Sequence, residues 1–261
     1  HAAKEYDQAG EAQRAIGNLD RATDLKMQGL DAMRKYTHSK KDYGPLMLAL
    51  MDAGEFLADK GEALRGDKLL TEARKFVDRY DDYLVIARLY QVSSRVSELA
   101  GNKEESEMFA RKRKQTLAKA ALEGESAIFK LSGRTPMKQS SQVKLINVAS
   151  AGAQAYSLIN NLTRAKVLWE FIAEYYKKTN NVEMRVSALR NLAGIYAKTG
   201  ENDLAINKRE QAVAAAENSG KPALALEMLQ DYISQLEYES KNDEALKVYA
   251  RLIATAESAG N

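Results

Sequence analysis

The sequence predicts an all-α chain of antiparallel helix pairs repeated end to end, and three observations predict it. Only 3 prolines and 15 glycines punctuate 261 residues, too few breaks for a protein of strands and tight turns. Apolar residues recur at helical spacing on both sides of short Asn, Asp or Gly turns, the pattern of two helices folded back on each other. The turns themselves repeat: Ala165, Ala205 and Ala245, each just past an Asn-containing turn, stand 40 residues apart, a spacing in the range of stacked helical repeats.

From the N-terminal end, Asn18-Leu19-Asp20-Arg21-Ala22 reads as a turn and helix start. Tyr36-Thr37-His38-Ser39-Lys40-Lys41 reads as a polar connection, and Pro45, directly after Gly44, suits the first turn of the next helix. Lys60-Gly61-Glu62-Ala63-Leu64 and Ala100-Gly101-Asn102-Lys103-Glu104 continue the turn logic with glycines 40 residues apart. From Gly101 to the next equivalent residue, Asn160, the distance is 59, which is 19 beyond the period. The excess predicts a loop or insertion at about 123–142, centred on the Ser, Gly and Pro of Leu131 to Ser141, with the preceding helix extended.

Beyond it, Asn161-Leu162-Thr163-Arg164-Ala165 opens the next pair. In the following repeat Leu189, Leu192, Ala193 and Tyr196 form one apolar stripe and Thr199-Gly200 stops that helix. Asn202 or Asp203 is placed to cap the next, on which Leu204, Ala205, Ala212, Val213 and Ala216 form a second stripe. Pro222 marks another helix start, and Asn242-Asp243-Glu244-Ala245 opens the last helix. The repeat therefore spans 1–261 as a single helical-repeat domain.

The run Arg190-Asn191-Leu192-Ala193-Gly194-Ile195-Tyr196-Ala197-Lys198-Thr199-Gly200, followed by Ala205 and Ala212, resembles the tetratricopeptide repeat family. Ala193 replaces the family's small Gly, and Arg209 stands where an aromatic is usual. Ala153, Tyr156, Ala165 and Trp169 fit a neighbouring repeat, and Ile233, Leu236, Ala245 and Tyr249 fit another. The resemblance implies a right-handed superhelical solenoid of roughly six helix pairs, with first helices lining a concave groove and second helices outside. The period exceeds the family's roughly 34 residues, which predicts a longer second helix, as in the long-repeat members of signalling adaptors and bacterial peptide-sensing regulators.

Composition narrows the chemistry. A hydrophobic share of 45% against 29% charged is enough to build a core. A net charge of +3 from 39 basic and 36 acidic residues does not point to nucleic acid. No stretch approaches the roughly 18 apolar residues of a membrane helix, so the chain reads as soluble, in a compartment the sequence leaves open; it opens at His1, as a processed or excised fragment would. Without cysteine, and with His1 and His38 alone, it has no thiol nucleophile, no zinc pattern and no material for a triad beyond His38. No phosphate-binding Gly-rich loop occurs, and the adjacent acids Asp81-Asp82 and Glu104-Glu105 read as caps or solvated faces. The sequence thus predicts no enzyme and no cofactor. The basic run Arg111-Lys112-Arg113-Lys114 reads as an outer face paired with Glu104, Glu105 and Glu107, and the cluster Trp169, Phe171, Tyr175 and Tyr176 reads as core packing.

Family resemblance places a partner in the groove. The matching positions are Asn147, Ser150, Gln154 and Ser157, then Ser187, Arg190, Gly194, Ala197 and Lys198, then Glu227, Gln230, Ser234 and Glu237. Asn147, Gln154, Arg190, Lys198, Gln230 and Glu237 are the candidate peptide-binding residues: amides bond a peptide backbone, and Arg190 or Lys198 holds a carboxylate. The predicted function is a scaffold or adaptor for a protein or peptide partner. Two other readings are a ligand-sensing domain of a bacterial signalling receptor or regulator, and a structural protein that self-assembles as a homo-oligomer by stacking terminal repeats.

Overall fold

The computed structural model describes residues 2–40, 42–133 and 137–259. His1, Lys41, the stretch 134–136 of the expected loop, and the final Gly260 and Asn261 lie outside the described residues. Twelve α-helices and one 3-10 turn, with no strand, make up the described secondary structure, and they divide into two compact units, His1–Lys119 and Ala120–Asn261.

The first unit holds α1 (Ala2–Ala15), α2 (Leu19–Lys40), α3 (Gly44–Asp59), α4 (Ala63–Arg74), a 3-10 turn (Val77–Arg79), α5 (Tyr83–Leu99) and the beginning of α6 (Lys103–Ser132). Pro45 falls in the first turn of α3, as its ring geometry favours. Asp82 caps α5 by accepting from the backbone N–H groups of Leu84 and Val85. Leu50, Met51, Leu70 and Leu89 are fully enclosed in a core that α2, α3, α4 and α5 share. His38 belongs to the last turn of α2, since that helix continues through the expected polar connection to Lys40.

The second unit holds the end of α6, then α7 (Gln139–Leu158), α8 (Leu162–Lys178), α9 (Val182–Lys198), α10 (Asn202–Glu217), α11 (Pro222–Tyr238) and α12 (Asn242–Ser258). Each helix from α7 to α12 packs on the next in sequence. Ala153, Tyr156, Ala165, Trp169, Leu192, Ala193, Tyr196, Ala205, Ala212, Ile233, Leu236 and Ala245 are all buried, so the repeat signature marks the surfaces that close the helix pairs. Leu204 and Tyr249 depart from their expected stripes and lie exposed, at 45% and 39%.

The helix ends explain the period. Asn160, Asn180, Gly200, Gly220 and Ser240, one residue in every twenty, hold positive φ of 54° to 76°. At four of these ends the next N–H reaches back five residues, from Asn161 to Tyr156, Asn181 to Tyr176, Glu201 to Tyr196 and Lys241 to Leu236. First and second helices are therefore equal in length, at 16 or 17 residues from α8 to α12. That corrects the expectation of a longer second helix: the added residues divide between the two. Asn161 and Asn181 cap α8 and α9, whereas Asn202 lies inside α10 and bonds Glu239 instead. Ser240, with φ 57°, bears a steric penalty that glycine does not. Ser240→Gly is expected to raise stability by about 1 kcal/mol, read as a higher urea midpoint at constant slope; an unchanged midpoint would refute it.

Much of the excess extends the preceding helix, as expected, and the non-helical stretch is shorter than 123–142. α6 runs 30 residues to Ser132, so 123–132 of the expected insertion is helical, and the break before α7 begins at Gly133. Gly124 fails to end α6 because it serves a close helix crossing: a Cβ there would meet the Gly152 Cα at 2.6 Å.

Within each unit, ion pairs tie successive repeats together. Arg34 bonds Glu72, Lys60 bonds Asp20, and Arg95 bonds both Glu55 and Asp59 in the first unit. In the second, Arg164 bonds Glu125, Lys166 bonds Glu201, Lys221 bonds Glu183, Lys241 bonds Asp203, and Arg251 bonds Glu210 and Glu217. These partners lie 34 to 41 residues apart, one repeat in each case. Exposed pairs of this kind contribute about 0.2–1 kcal/mol each, so their weight is in setting register.

Candidate functional site

In the second unit the first helices of successive pairs are α7, α9 and α11, and every groove candidate lies on them. Asn147 and Gln154 on α7, Lys198 on α9 and Gln230 on α11 are exposed, and their side chains make no hydrogen bond within the described residues. The hydroxyls between them are spent on their own helices: Ser150, Ser157 and Ser234 donate to the carbonyls of Ile146, Ala153 and Gln230, one turn back. Glu237 accepts from the Tyr249 hydroxyl at 2.9 Å. The face therefore offers free amides and one free ammonium among satisfied hydroxyls.

Arg190 differs from its expected role. Its guanidinium holds Asp231 through Nε at 2.5 Å and Nη2 at 3.0 Å, and Glu227 through Nη1 at 2.6 Å. It joins α9 to α11 and is not vacant for a partner carboxylate in this state. One turn on, Gly194 leaves open space, with nothing within 4 Å of where its Cβ would lie. Beneath this face, Tyr196 donates to Glu170 at 2.8 Å; burial first, and then that carboxylate, push its phenol up to about 12.

The sequence reading missed Asp231 and Arg209. Arg209, on α10, has Nε and Nη1 buried without a hydrogen-bond partner, and burial pulls its pKa down against the opposing charge of Asp231. The departure from the aromatic usual at that position was the available signal.

A second charged face was also missed, in the first unit. Asp52, Glu55 and Asp59 follow one stripe of α3 and meet Arg88 and Arg95 of α5. Across from them Lys26, 8% exposed, holds Asp7 and Glu11 of α1. Burial alone would lower the Lys26 pKa, but the two carboxylates hold it above its ordinary value. Desolvation pushes Asp52 up in spite of Arg88. Asp7, Glu11, Lys26, Asp52, Glu55 and Asp59 line an open cleft of about 500 Å³. Acids at helical spacing on one predicted helix were the readable sign.

The other candidates resolve individually. Trp169 and Tyr176 are buried, at 3% and 5% exposure, in agreement with core packing, whereas Phe171 and Tyr175 are half-buried. Among the described residues Arg111 to Lys114 form no ion pair with Glu104, Glu105 or Glu107, contrary to expectation. Glu105 is drawn into the cap of α6 with Asn102, while Lys112 lies over the Tyr90 and Phe109 rings. Among the described residues no three His, Asp or Glu side chains group as metal ligands, and no helix is long and apolar enough to cross a membrane.

Comparison with known proteins agrees with this geometry. The family model described as "Tetratricopeptide repeat" matches residues 188–223, from the second turn of α9 through α10 to the start of α11. That helix pair is a tetratricopeptide repeat. The helical fold is shared along the chain with a solved structure: the crystal structure of BtubC (BKLC) from P. vanneervenii is similar over 93% of this chain and 92% of that one, with a TM-score of 0.52 at 15% identity. A putative kinesin light chain of Podosopora anserina, with nearly identical TPR-like repeats, aligns over 81% of this chain and 96% of its own at 15% identity and a TM-score of 0.46. No curated protein matches the sequence.

Proposed function

We propose that the chain is an interaction scaffold that receives an extended segment of a partner protein on the first-helix face of α7, α9 and α11. The observation that carries this is the row of exposed amides Asn147, Gln154 and Gln230, left without internal partners while the neighbouring hydroxyls are satisfied. Solvent-facing amides spaced along consecutive repeats bond the N–H and C=O groups of an extended backbone, which carries both donors and acceptors along its length. The repeat fold supports the reading, since stacked helix pairs offer an elongated surface for such a segment.

The test is capture from source extract by wild type beside Asn147→Ala/Gln154→Ala/Gln230→Ala. All three positions are exposed, so the variant is expected to keep its stability within about 0.5 kcal/mol. A partner held by wild type and lost by this variant supports the face. The same partner held equally by both would move the binding surface elsewhere, with the charged face of α1, α3 and α5 next to be tested.

The self-assembly reading has one observation in its favour. Leu246 and Ile253 lie two turns apart on one side of α12 and are 66% and 57% exposed. Sedimentation velocity over a hundredfold concentration range separates the readings, and Leu246→Lys/Ile253→Lys is expected to abolish any concentration-dependent growth in size.

A further inference from the structure

We propose that the first unit binds a free aliphatic α-amino acid of the size of leucine, in the cavity between α1, α2 and α3. The site belongs to the first unit alone and does not depend on the reading of α7, α9 and α11.

The cavity measures about 230 Å³, where a buried apolar cavity of about 150 Å³ already accepts benzene. Its floor is apolar. Leu30 and Ala53 belong to the core, at 2% and 3% exposure, and Met33 and Ala49 are partly buried beside them. Gly29 completes the wall without a side chain; a Cβ there would meet the Ala3 carbonyl oxygen and the Tyr6 Cβ at 3.4 Å, so α2 lies close against α1. Such a floor suits an aliphatic side chain, and the unbranched thioether of Met33 can adjust to its shape.

The rim carries both signs of charge. Lys4, Asp7, Lys26 and Asp52 line it; Glu11 holds Lys26 and Arg88 holds Asp52. Lys4, Lys26 and Arg88 thus balance Asp7, Asp52 and Glu11, and a ligand with two opposite poles and no net charge preserves that balance. The acidic pole of the rim is Asp7 with Asp52. Asp7 accepts from Lys26 and Asp52 from Arg88, and a carboxylate with about four acceptor sites keeps room for an ammonium group. Burial pushes the Asp52 carboxyl up in spite of Arg88, so a further cation beside it is favoured. The basic pole is Lys4, one turn before Asp7 on the same side of α1. Lys4 is exposed and forms no ion pair among the described residues, whereas Lys26 is committed to Asp7 and Glu11. An α-amino acid has its ammonium and carboxylate on one carbon, close enough for an acid and a base one helical turn apart to hold both. Its side chain then points to Leu30 and Ala53. A fatty acid would instead set a third carboxylate beside Asp7 and Asp52.

The experiment follows the Met33 and Ala49 methyl resonances of the full chain, labelled at Met and Ala methyl groups, during titration with L-leucine, glycine, 3-methylbutylamine and 4-methylpentanoate. Leucine is expected to shift both methyls saturably, with a dissociation constant of about 1 mM or tighter. Glycine has both charges without the side chain, and the amine and the acid have the side chain with one charge each; all three are expected to bind at least about fivefold more weakly. Lys4→Gln, at an exposed position, is expected to weaken leucine about fivefold and leave 3-methylbutylamine unchanged. Ala49→Leu fills the cavity and is expected to abolish the leucine response at Met33 while the thermal midpoint stays at or above that of wild type. No saturable shift with leucine, or a shift that spares Met33 and Ala49, would overturn the site. An amine that binds as tightly as leucine, or a Lys4→Gln chain that binds leucine as wild type does, would overturn the two-pole ligand.

Discussion

Gly152→Val is expected to destabilise the chain by about 3 kcal/mol or more, among the largest effects available to a single substitution in it. A Cβ at Gly152 would lie 2.5 Å from the Cα of Gly124 and 3.1 Å from the carbonyl oxygen of Ala120. Both obstacles are backbone, so no side-chain rotamer relieves them and α6 and α7 must part. Parting them exposes the small buried residues of that crossing, Ala121, Ala149 and Ala153, and strains the bond from Glu125 to Arg164 on α8. The sign is informative because valine and alanine are both better helix formers than glycine, so intrinsic propensity alone predicts a gain. Gly124→Ala should be costly for the same reason, and the Gly124→Ala/Gly152→Val variant should cost less than the two single changes combined, since helices already parted meet the second obstacle more loosely. Urea unfolding followed by circular dichroism reads all three; a Gly152→Val loss under about 0.5 kcal/mol would show that the crossing yields freely.

Leu70→Ala should cost about 2–5 kcal/mol through the cavity it leaves. Leu70 is fully buried in the core of the first unit, and its Cγ lies 3.0 Å from where a Cβ on Gly54 would be, so it packs directly on the bare backbone of α3. This contact gives the prediction a second arm. Gly54→Ala in the wild-type background meets both Leu70 and the carbonyl oxygen of Gly66, at 3.1 Å; in the Leu70→Ala background only the second obstacle remains. The second substitution should therefore be milder after the first, and a double-mutant cycle should show favourable coupling. Additive costs would mean that Leu70 and Gly54 do not share a packing surface.

The fold was legible because its punctuation is chemical. A helix end that needs positive φ selects Gly or Asn, so Gly61, Gly101, Asn160 and Gly200 show in the sequence at the places where the chain reverses. The same rule misleads at Gly124, where glycine serves a close approach and the helix continues; turn and contact glycines look alike until the neighbouring helix is known. The faces were legible as well, because burial repeats with helical period. What an exposed side chain does on its face was not. Arg190 was identified as a cation in the right place, yet its use is fixed by Asp231, forty-one residues on, and nothing local distinguishes an acid that will meet an arginine from one that will meet water. Arg209 was conspicuous for what it replaces, but only three-dimensional packing shows that its nitrogens are left unpaired.

The ion pairs between repeats have a consequence for how such a chain can be altered. A second copy of residues 181–220 inserted after Gly220 would place Asn181, Ser187 and Asn191 where Lys221, Glu227 and Asp231 now stand, leaving Glu183 and Arg190 facing neutral residues. The apolar surfaces would still match, because those are shared by every repeat, but the charges would not. Each such junction in the second unit is keyed to one neighbour, so the modules are alike in shape and unlike in address.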